Sequence, residues 1–235
     1  MKEDPIMMNH QDVIVAKQAE EETINKVKLV GSVVHKFRPR DNGMVLTVAA
    51  GRAGTDHADY PNVVFYGEVA EIIDKTIEVV PGNYPRVCIE GMVQTTRRTM
   101  NGHTQYYQNI VGYTLSRAPT NLEYLTGKKN IGARKLEGCN EVCILGKVIG
   151  IYEIPSNGCS PIGTIVTLRT VDNGRVNFPR LTCFGLVGQE AAKLAENDCV
   201  CIAASIQTKR REGPDGKTQR YETMIGHSTV RQTGS

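Results

Sequence analysis

Cationic side chains stand beside aromatic rings at two places in this 235-residue sequence. At the first place, Arg97 and Arg98 are followed by Tyr106 and Tyr107. The second place holds residues of the same kinds: Lys209, Arg210, Arg211, Arg220 and Tyr221. Guanidinium and ammonium groups pair with anionic oxygens, and flat rings stack on other planar groups. Together these side chains suit a polyanion that exposes planar rings.

Two further pairs of rings flank short, β-type runs of residues. Tyr60 and Tyr66 form the first pair, and Phe178 and Phe184 form the second. A single ring beside a strand is often a core residue, and a basic hairpin tip is often only solvated. Because the whole set recurs at matching positions, the pattern favours a binding surface over that explanation.

Motifs that carry out catalysis are missing from the sequence. It contains no HExxH, GxxxxGK[ST], GxSxG or GxGxxG pattern. The histidines are scattered along the chain: His10, His35, His57, His103 and His227. We therefore predict a binding protein with no catalytic residues, cofactor or metal, rather than an enzyme.

The seven cysteines form an odd set without the spacing of a disulfide framework. No signal-peptide pattern and no apolar run of about 18 residues occurs. These features predict free thiols in a reducing, cytoplasmic compartment and no membrane segment. Cys199 and Cys201 alternate within a strand-like run, so we expect small buried hydrophobes there rather than metal ligands.

The chain repeats itself. Four blocks recur in one order at offsets of 113 to 118: 26–33 with 141–148, 63–69 with 181–187, 90–98 with 203–211, and 101–112 with 215–226. This regularity indicates a duplicated unit of roughly 90–100 residues.

Each unit predicts five strands, with one helix between the third and the fourth. In unit one we expect strands at 27–35, 44–50, 62–66, 86–97 and 104–111; in unit two at 141–152, 163–171, 180–184, 199–210 and 218–225. The pairs Asn101-Gly102 and Asp215-Gly216 favour tight turns between the last two strands. This order predicts an all-β fold of two tandem OB-type five-stranded barrels.

The helix prediction rests on apolar residues at helical spacing. In unit one the predicted buried face holds Val69, Ile72, Ile73, Thr76 and Ile77, and in unit two it holds Val187, Ala191, Leu194 and Ala195.

The charge distribution separates an acidic end from a basic body. Residues 1–25 carry two basic and six acidic side chains, so a net charge of −4 leaves +7 on the rest. A basic body favours a polyanion partner, although a solvated surface of modest charge is the alternative. The predicted organisation is an acidic flexible segment (1–24), OB fold 1 (25–117), a basic linker (118–137) and OB fold 2 (138–232).

Four stretches resemble the bacterial single-stranded DNA-binding (SSB) family. Residues 25–31, Asn-Lys-Val-Lys-Leu-Val-Gly, are similar to its opening strand. Residues 63–71 resemble its third strand and helix start, 87–95 its fourth strand, and 101–106 its hairpin turn and fifth strand. The resemblance implies sequence-independent binding of single-stranded DNA in replication, recombination and repair. It also implies four OB folds in the working assembly, hence a homodimer for a chain with two.

The resemblance also assigns residues. It puts the family's stacking rings on four positions: Tyr60, Tyr66, Phe178 and Phe184. The family's Trp near the fourth-strand hairpin falls on Arg98 and Arg211, and an arginine can also lie flat on a base.

One departure leaves an alternative open. Residues 228–235 are neutral to basic where the family has an acidic tip that recruits replication and recombination proteins. The departure favours a phage-encoded, plasmid-encoded or otherwise divergent member. The alternative is a primosome-type or RNA-binding OB protein that acts mainly through protein contacts.

Overall fold

The computed structural model describes residues 22–39, 43–52, 57–100, 103–118, 138–156, 161–212 and 218–232. Residues 1–21 of the predicted acidic segment, both predicted Asx-Gly turns and the linker from residue 119 lie outside these ranges.

The described residues of each half form six strands and one helix. The first half contains β1 (Ile24–Phe37), β2 (Met44–Gly51), β3 (Ala58–Asp59), β4 (Asn62–Phe65), α1 (Gly67–Thr76), β5 (Arg86–Met100) and β6 (His103–Arg117). The second contains β7 (Cys139–Ile154), β8 (Gly163–Asp172), β9 (Arg175–Asn177), β10 (Arg180–Phe184), α2 (Gly185–Ala192), β11 (Cys199–Glu212) and β12 (Thr218–Arg231).

Each half closes into a barrel. In barrel 1, β1 pairs with β2 and β5, β2 with β4, and β5 with β6, all antiparallel, and β4 closes the ring by running parallel to β6. In barrel 2 the same pairings join β7, β8, β10, β12 and β11. This is the OB order predicted from the sequence, and the fold class is confirmed. The short strands β3 and β9 were not predicted.

Alternating side chains fill each barrel. On β1, Val27, Leu29 and Val33 point inward and are essentially unexposed. The large core side chains of barrel 1 include Met44, Leu46, Phe65 and Ile89, and those of barrel 2 include Ile144, Leu168, Leu181 and Ile202.

The predicted helix face is partly wrong. In α1 the buried residues are Ala70 and Ile73, followed by Ile77, whereas Ile72 is 51% exposed. Thr76 is also exposed, and Val69 is only half-buried. The helix is short and covers the barrel with one narrow row of side chains, so only residues at i, i+3 and i+7 reach the core.

In α2, Ala191 is buried as predicted, together with Gly188, and Val187 packs partly against the core. Leu194 lies beyond the end of the helix and is half-buried, and Ala195 is exposed, so the predicted face extends too far.

The expectation for two cysteines is also wrong. Val200 and Ile202 take the inward positions of β11, so Cys199 and Cys201 point outward and are half-buried. The Cys201 thiol lies 3.8 Å from that of Cys143 on β7. Among the cysteines that the structure describes, Cys183 on β10 is the one that enters the core.

The two barrels are joined edge to edge. β1 and β7 pair antiparallel, with Val27 opposite Val142 near the middle of the contact. Asn25 next to this seam donates to the Val93 carbonyl and accepts from its N–H, at 2.8 and 2.9 Å. Asn140 makes the same two bonds with Ile206, at 2.8 and 2.9 Å. The side-chain amides therefore extend the pairing of β1 with β5 and of β7 with β11 within each barrel, next to the junction.

Neither described helix is long and apolar enough to cross a membrane.

Candidate functional site

The predicted rings of β4 and β10 stand at the two ends of these strands. Tyr60 precedes β4 and Tyr66 follows it, so their backbones are separated by roughly 20 Å at an extended rise. In barrel 2, Phe178 precedes β10 and Phe184 is the last residue of that strand. All four rings are partly exposed, with Tyr60 at 39% and Phe178 at 37%.

A left-handed glycine follows the ring at each strand end. Gly67 has φ +59° and Gly185 has φ +57°, a conformation that side chains rarely adopt. Each glycine is the first residue of its helix and follows closely after the end of a strand. The ring residue before it, Tyr66 or Phe184, therefore occupies the helix N-cap. The Phe184 ring packs directly against the backbone of Gly163. The sharp turn therefore holds each ring against the barrel wall.

The remaining predicted residues lie on two long hairpins. On β5–β6, Arg97 stands opposite Tyr106, and the Arg98 guanidinium lies 5.7 Å from the centre of the Tyr107 ring. On β11–β12 the corresponding residues are exposed: Lys209 stands opposite Tyr221, Arg210 opposite Arg220, and Arg211 opposite Gln219. The structure thus places the predicted cations and tyrosines side by side.

Each hairpin reaches across to the other barrel, where a threonine fixes it. The Thr95 N–H donates to Asn177 Oδ1 at 3.0 Å, and Thr95 Oγ1 accepts from the N–H of Phe178 at 2.9 Å. The N–H of the ring residue is thus bonded by the opposite hairpin.

Thr208 makes the same pair of contacts with barrel 1. Its N–H donates to Asp59 Oδ1 at 2.9 Å, and its Oγ1 accepts from the N–H of Tyr60 at 3.1 Å. Asp59 is fully buried and also accepts two bonds from Arg52, at 2.7 and 2.9 Å. This bond to Asp59 raises the pKa of the Arg52 guanidinium.

A second pair of contacts differs between the halves. Gln108 accepts from the N–H of Arg180 at 3.1 Å and donates to its carbonyl at 3.4 Å. In the other half Glu222 accepts from the N–H of Asn62 at 2.8 Å. An ionised carboxylate has no proton to donate to that residue's carbonyl. Burial raises the pKa of Glu222, against smaller lowering effects of the Asn62 N–H and of Arg220.

A groove of about 700 Å³ opens between hairpin β5–β6 and the outer face of barrel 2. Its lining from the hairpin consists of Thr95, Tyr106, Tyr107 and Gln108. Its lining from barrel 2 consists of Ile149, Ile165, Thr167, Phe178, Arg180, Thr182, Glu222 and Thr223. The groove thus combines three aromatic rings, a guanidinium and several hydroxyl groups with one carboxyl group, that of Glu222. The rings suit planar groups, and the guanidinium suits an anion.

The corresponding ring of barrel 1 is in contact with a cation. The Arg220 guanidinium lies over the Tyr60 ring, 5.6 Å from its centre. Burial at this position lowers the pKa of Arg220. Tyr60 and Arg220, which belong to different repeated units, are therefore in direct contact across the two barrels.

Sequence reasoning missed four residues at this junction. Thr95 and Thr208 fix the hairpins, and Gln108 and Arg180 line the groove. Both threonines fall at the same position of the repeated block, Gln-Thr, and that recurrence could have marked them. Arg180 has no cationic counterpart in unit one, so the repeat gave no signal for it.

Within the described ranges, no group of three or more His, Cys, Asp or Glu side chains lies close enough to hold a metal ion.

Comparison with known proteins gives a structural match. No family model matches the sequence, and no curated protein matches it either. The fold is similar to the wild-type single-stranded DNA binding protein of Thermus aquaticus, with a TM-score of 0.62 and 14% identity. The alignment covers 92% of this chain and 96% of that one. A deletion mutant of the same protein matches at 14% identity and TM-score 0.62, covering 91% of this chain and 96% of that one. The likeness extends over both barrels and establishes the tandem OB fold.

The Glu222→Gln variant should be more stable than the wild type at pH 7, by roughly 1 kcal/mol. The folded-state pKa of Glu222 is raised, so the stability that this group contributes is fully present below its unfolded pKa and is lost as the pH rises through the folded pKa. The glutamine side chain does not ionise, so the variant does not lose stability as the pH rises. Its amide can also donate to the Asn62 carbonyl, as the Gln108 amide does to the Arg180 carbonyl. Urea midpoints at pH 7 and at about pH 4 should show the advantage only at pH 7. The same change at exposed Glu196 is the control, and a destabilised Glu222→Gln at pH 7 would contradict the assignment.

Proposed function

We propose that this chain binds single-stranded DNA without sequence preference, by stacking bases on its rings and pairing phosphates with its cations. One observation carries the proposal: at the junction, the ring of each barrel lies next to the cation-bearing hairpin of the other. Tyr60 lies next to β11–β12 and Phe178 next to β5–β6. The two sets of side chains therefore form one surface.

The accessibility of the rings favours an unpaired strand over a duplex. Bases in a duplex are already stacked on their neighbours, so a ring inside a groove reaches only bases that have been turned outward. Phe178 and Tyr106 line such a groove, and Arg180 stands beside them. Stacking is indifferent to base identity, which supports binding without sequence preference.

The structural match supports the same proposal. The Thermus aquaticus protein is described as a single-stranded DNA binding protein, and its likeness to this chain covers both barrels. We extend that activity to this chain, with roles in DNA replication, recombination and repair in the cytoplasm and with no enzymatic activity of its own. The domain bounds and the DNA-contacting residues that we predicted from the sequence are part of this proposal.

The residues proposed to contact DNA fall into two groups. The stacking group holds Tyr60, Tyr66, Tyr106, Tyr107, Phe178, Phe184 and Tyr221. The phosphate-pairing group holds Arg97, Arg98, Lys209, Arg210, Arg211 and Arg220.

We further propose that the chain acts as a homodimer, because four OB folds make the usual assembly in the family that the sequence resembles. The protein in solution should then have twice the 25.8 kDa mass of one chain, and its DNA complex should have that mass plus the mass of the bound strand. Native mass measurement at micromolar concentration tests this, and a species of 25.8 kDa alone would overturn the dimer.

The double variant Tyr60→Ala with Phe178→Ala should bind oligo-dT at least about 30-fold more weakly. It removes two stacking contacts of roughly 1–3 kcal/mol each, or about 2 kcal/mol at the lower bound. Fluorescence anisotropy of a labelled oligo-dT long enough to span both barrels measures the loss.

Tyr113→Ala is the matched control. This tyrosine ring is also exposed, but partial burial of its hydroxyl, together with the nearby Glu90 and Asp172 carboxylates, raises its pKa. Its loss should leave oligo-dT binding unchanged. Full retention of oligo-dT binding by the double variant would overturn the stacking assignment. Tighter binding of an RNA strand of matched length would favour the RNA-binding alternative.

A further inference from the structure

The two outer barrel faces at the junction are covered to different degrees. Val45 and Thr47 on β2 are each only 6% exposed. Their counterparts on β8, Ile165 and Thr167, are half-buried and line the groove. Because both pairs occupy the same positions in the strand register, the difference comes from the neighbouring side chains.

One neighbour is a ring in barrel 1 and a glycine in barrel 2. His35 stands opposite Thr47, and its ring lies 5.4 Å from the Phe37 ring on the same strand. Gly150 stands opposite Thr167. Barrel 2 therefore has no side chain at the position where barrel 1 carries an imidazole.

The hairpin residue that faces each barrel also differs. Over barrel 1 it is Arg220, whose guanidinium lies 5.6 Å from the centre of the Tyr60 ring. Tyr106 takes the corresponding position in the other hairpin, and it lines the groove together with Phe178. The space next to Phe178 is open, whereas the corresponding side of Tyr60 is in contact with a cation.

The two faces also carry their cations at different positions. Arg180 stands opposite Thr167 and lines the groove of barrel 2. Its counterpart in barrel 1 is Asn62, whose side-chain oxygen accepts a hydrogen bond from Thr47 at 2.7 Å. Barrel 2 thus offers a cation for a phosphate at the position where barrel 1 has a neutral amide.

We propose that the two barrels take up a single strand in a fixed order, with the groove at Phe178 binding bases first and Tyr60 binding only after Arg220 is displaced. A base that stacks on Tyr60 must replace a cation–π contact, whereas a base that enters the groove displaces only solvent. The inference rests on the proposed function and specifies which subsite engages first.

A mass-resolved titration of the full chain with oligo-dT of about 8 nucleotides tests the order, because a strand of this length fits one OB fold. The wild type should bind the first strand per chain at least about tenfold more tightly than the second. Phe178→Ala should weaken the first event about tenfold, and Tyr60→Ala should change it less than twofold while weakening the second. Gly150→His, which copies His35, should reproduce the effect of Phe178→Ala with the phenylalanine ring intact.

The Arg220→Ala variant distinguishes displacement of the guanidinium from the Tyr60 ring from the simple loss of a positive charge. Removing the cation from Tyr60 should tighten the second event by about threefold, because a ring already free for a base gains more than the loss of one phosphate contact on a single strand costs. Arg210→Ala, the exposed cation opposite Arg220 on β11, should weaken it instead. A pure phosphate-binding role for Arg220 predicts weakening in both variants.

The order is overturned if the two short strands bind the wild type with equal affinity, or if Tyr60→Ala weakens the first event as much as Phe178→Ala does. It is also overturned if Arg220→Ala weakens the second event. These results leave single-strand binding in place. Failure of the wild type to bind oligo-dT of any length would instead overturn the proposed function and the order together.

Discussion

The antiparallel pairing of β1 with β7 sets the geometry on which every other feature of the junction depends. It aligns the two barrels edge to edge, while Asn25 and Asn140 bond these two strands to β5 and β11 inside their own barrels. With the barrels in this position, each long hairpin extends over the outer face of the opposite barrel. Rings and cations that belong to different repeats are then brought within contact distance, as Arg220 and Tyr60 are. A single barrel would carry the same residues without this shared surface.

The two repeats have kept the contacts that fix the hairpins and have diverged in the side chains around them. Thr95 and Thr208 bond the opposite barrel in the same way. Around them, Gln108 is matched by Glu222, and buried Asp59 is matched by Asn177, whose Nδ2 has no hydrogen-bond partner among the described residues. The two halves therefore share the contacts that fix their hairpins, but they differ in the charges around those contacts and in how far side chains cover the barrel face. Under the proposed function, such a surface would give a single strand two sites of unequal affinity.

The sequence was sufficient to predict the repeat, the strand order and the OB barrels, because alternation and Gly placement are local properties. It was insufficient for contacts between the barrels, which depend on the pairing of β1 with β7. No local pattern predicts that Arg220 lies over Tyr60 or that Arg180 faces a groove. The helix face at Ile72 was wrong for a related reason, since the barrel rim decides which side of a short helix is buried. Cys199 and Cys201 alternate as expected, but the larger neighbours Val200 and Ile202 take the inward positions.

The most direct measurement is a comparison of oligo-dT with a duplex of equal length, each titrated with the purified full chain over a range of salt concentrations. Rings and cations acting together predict strong binding of the unpaired strand, little binding of the duplex, and a logarithmic salt slope of about −0.7 for each phosphate neutralised. The proposed role of this surface would be contradicted if the chain did not bind unpaired strands at low ionic strength, or if it bound the duplex equally well.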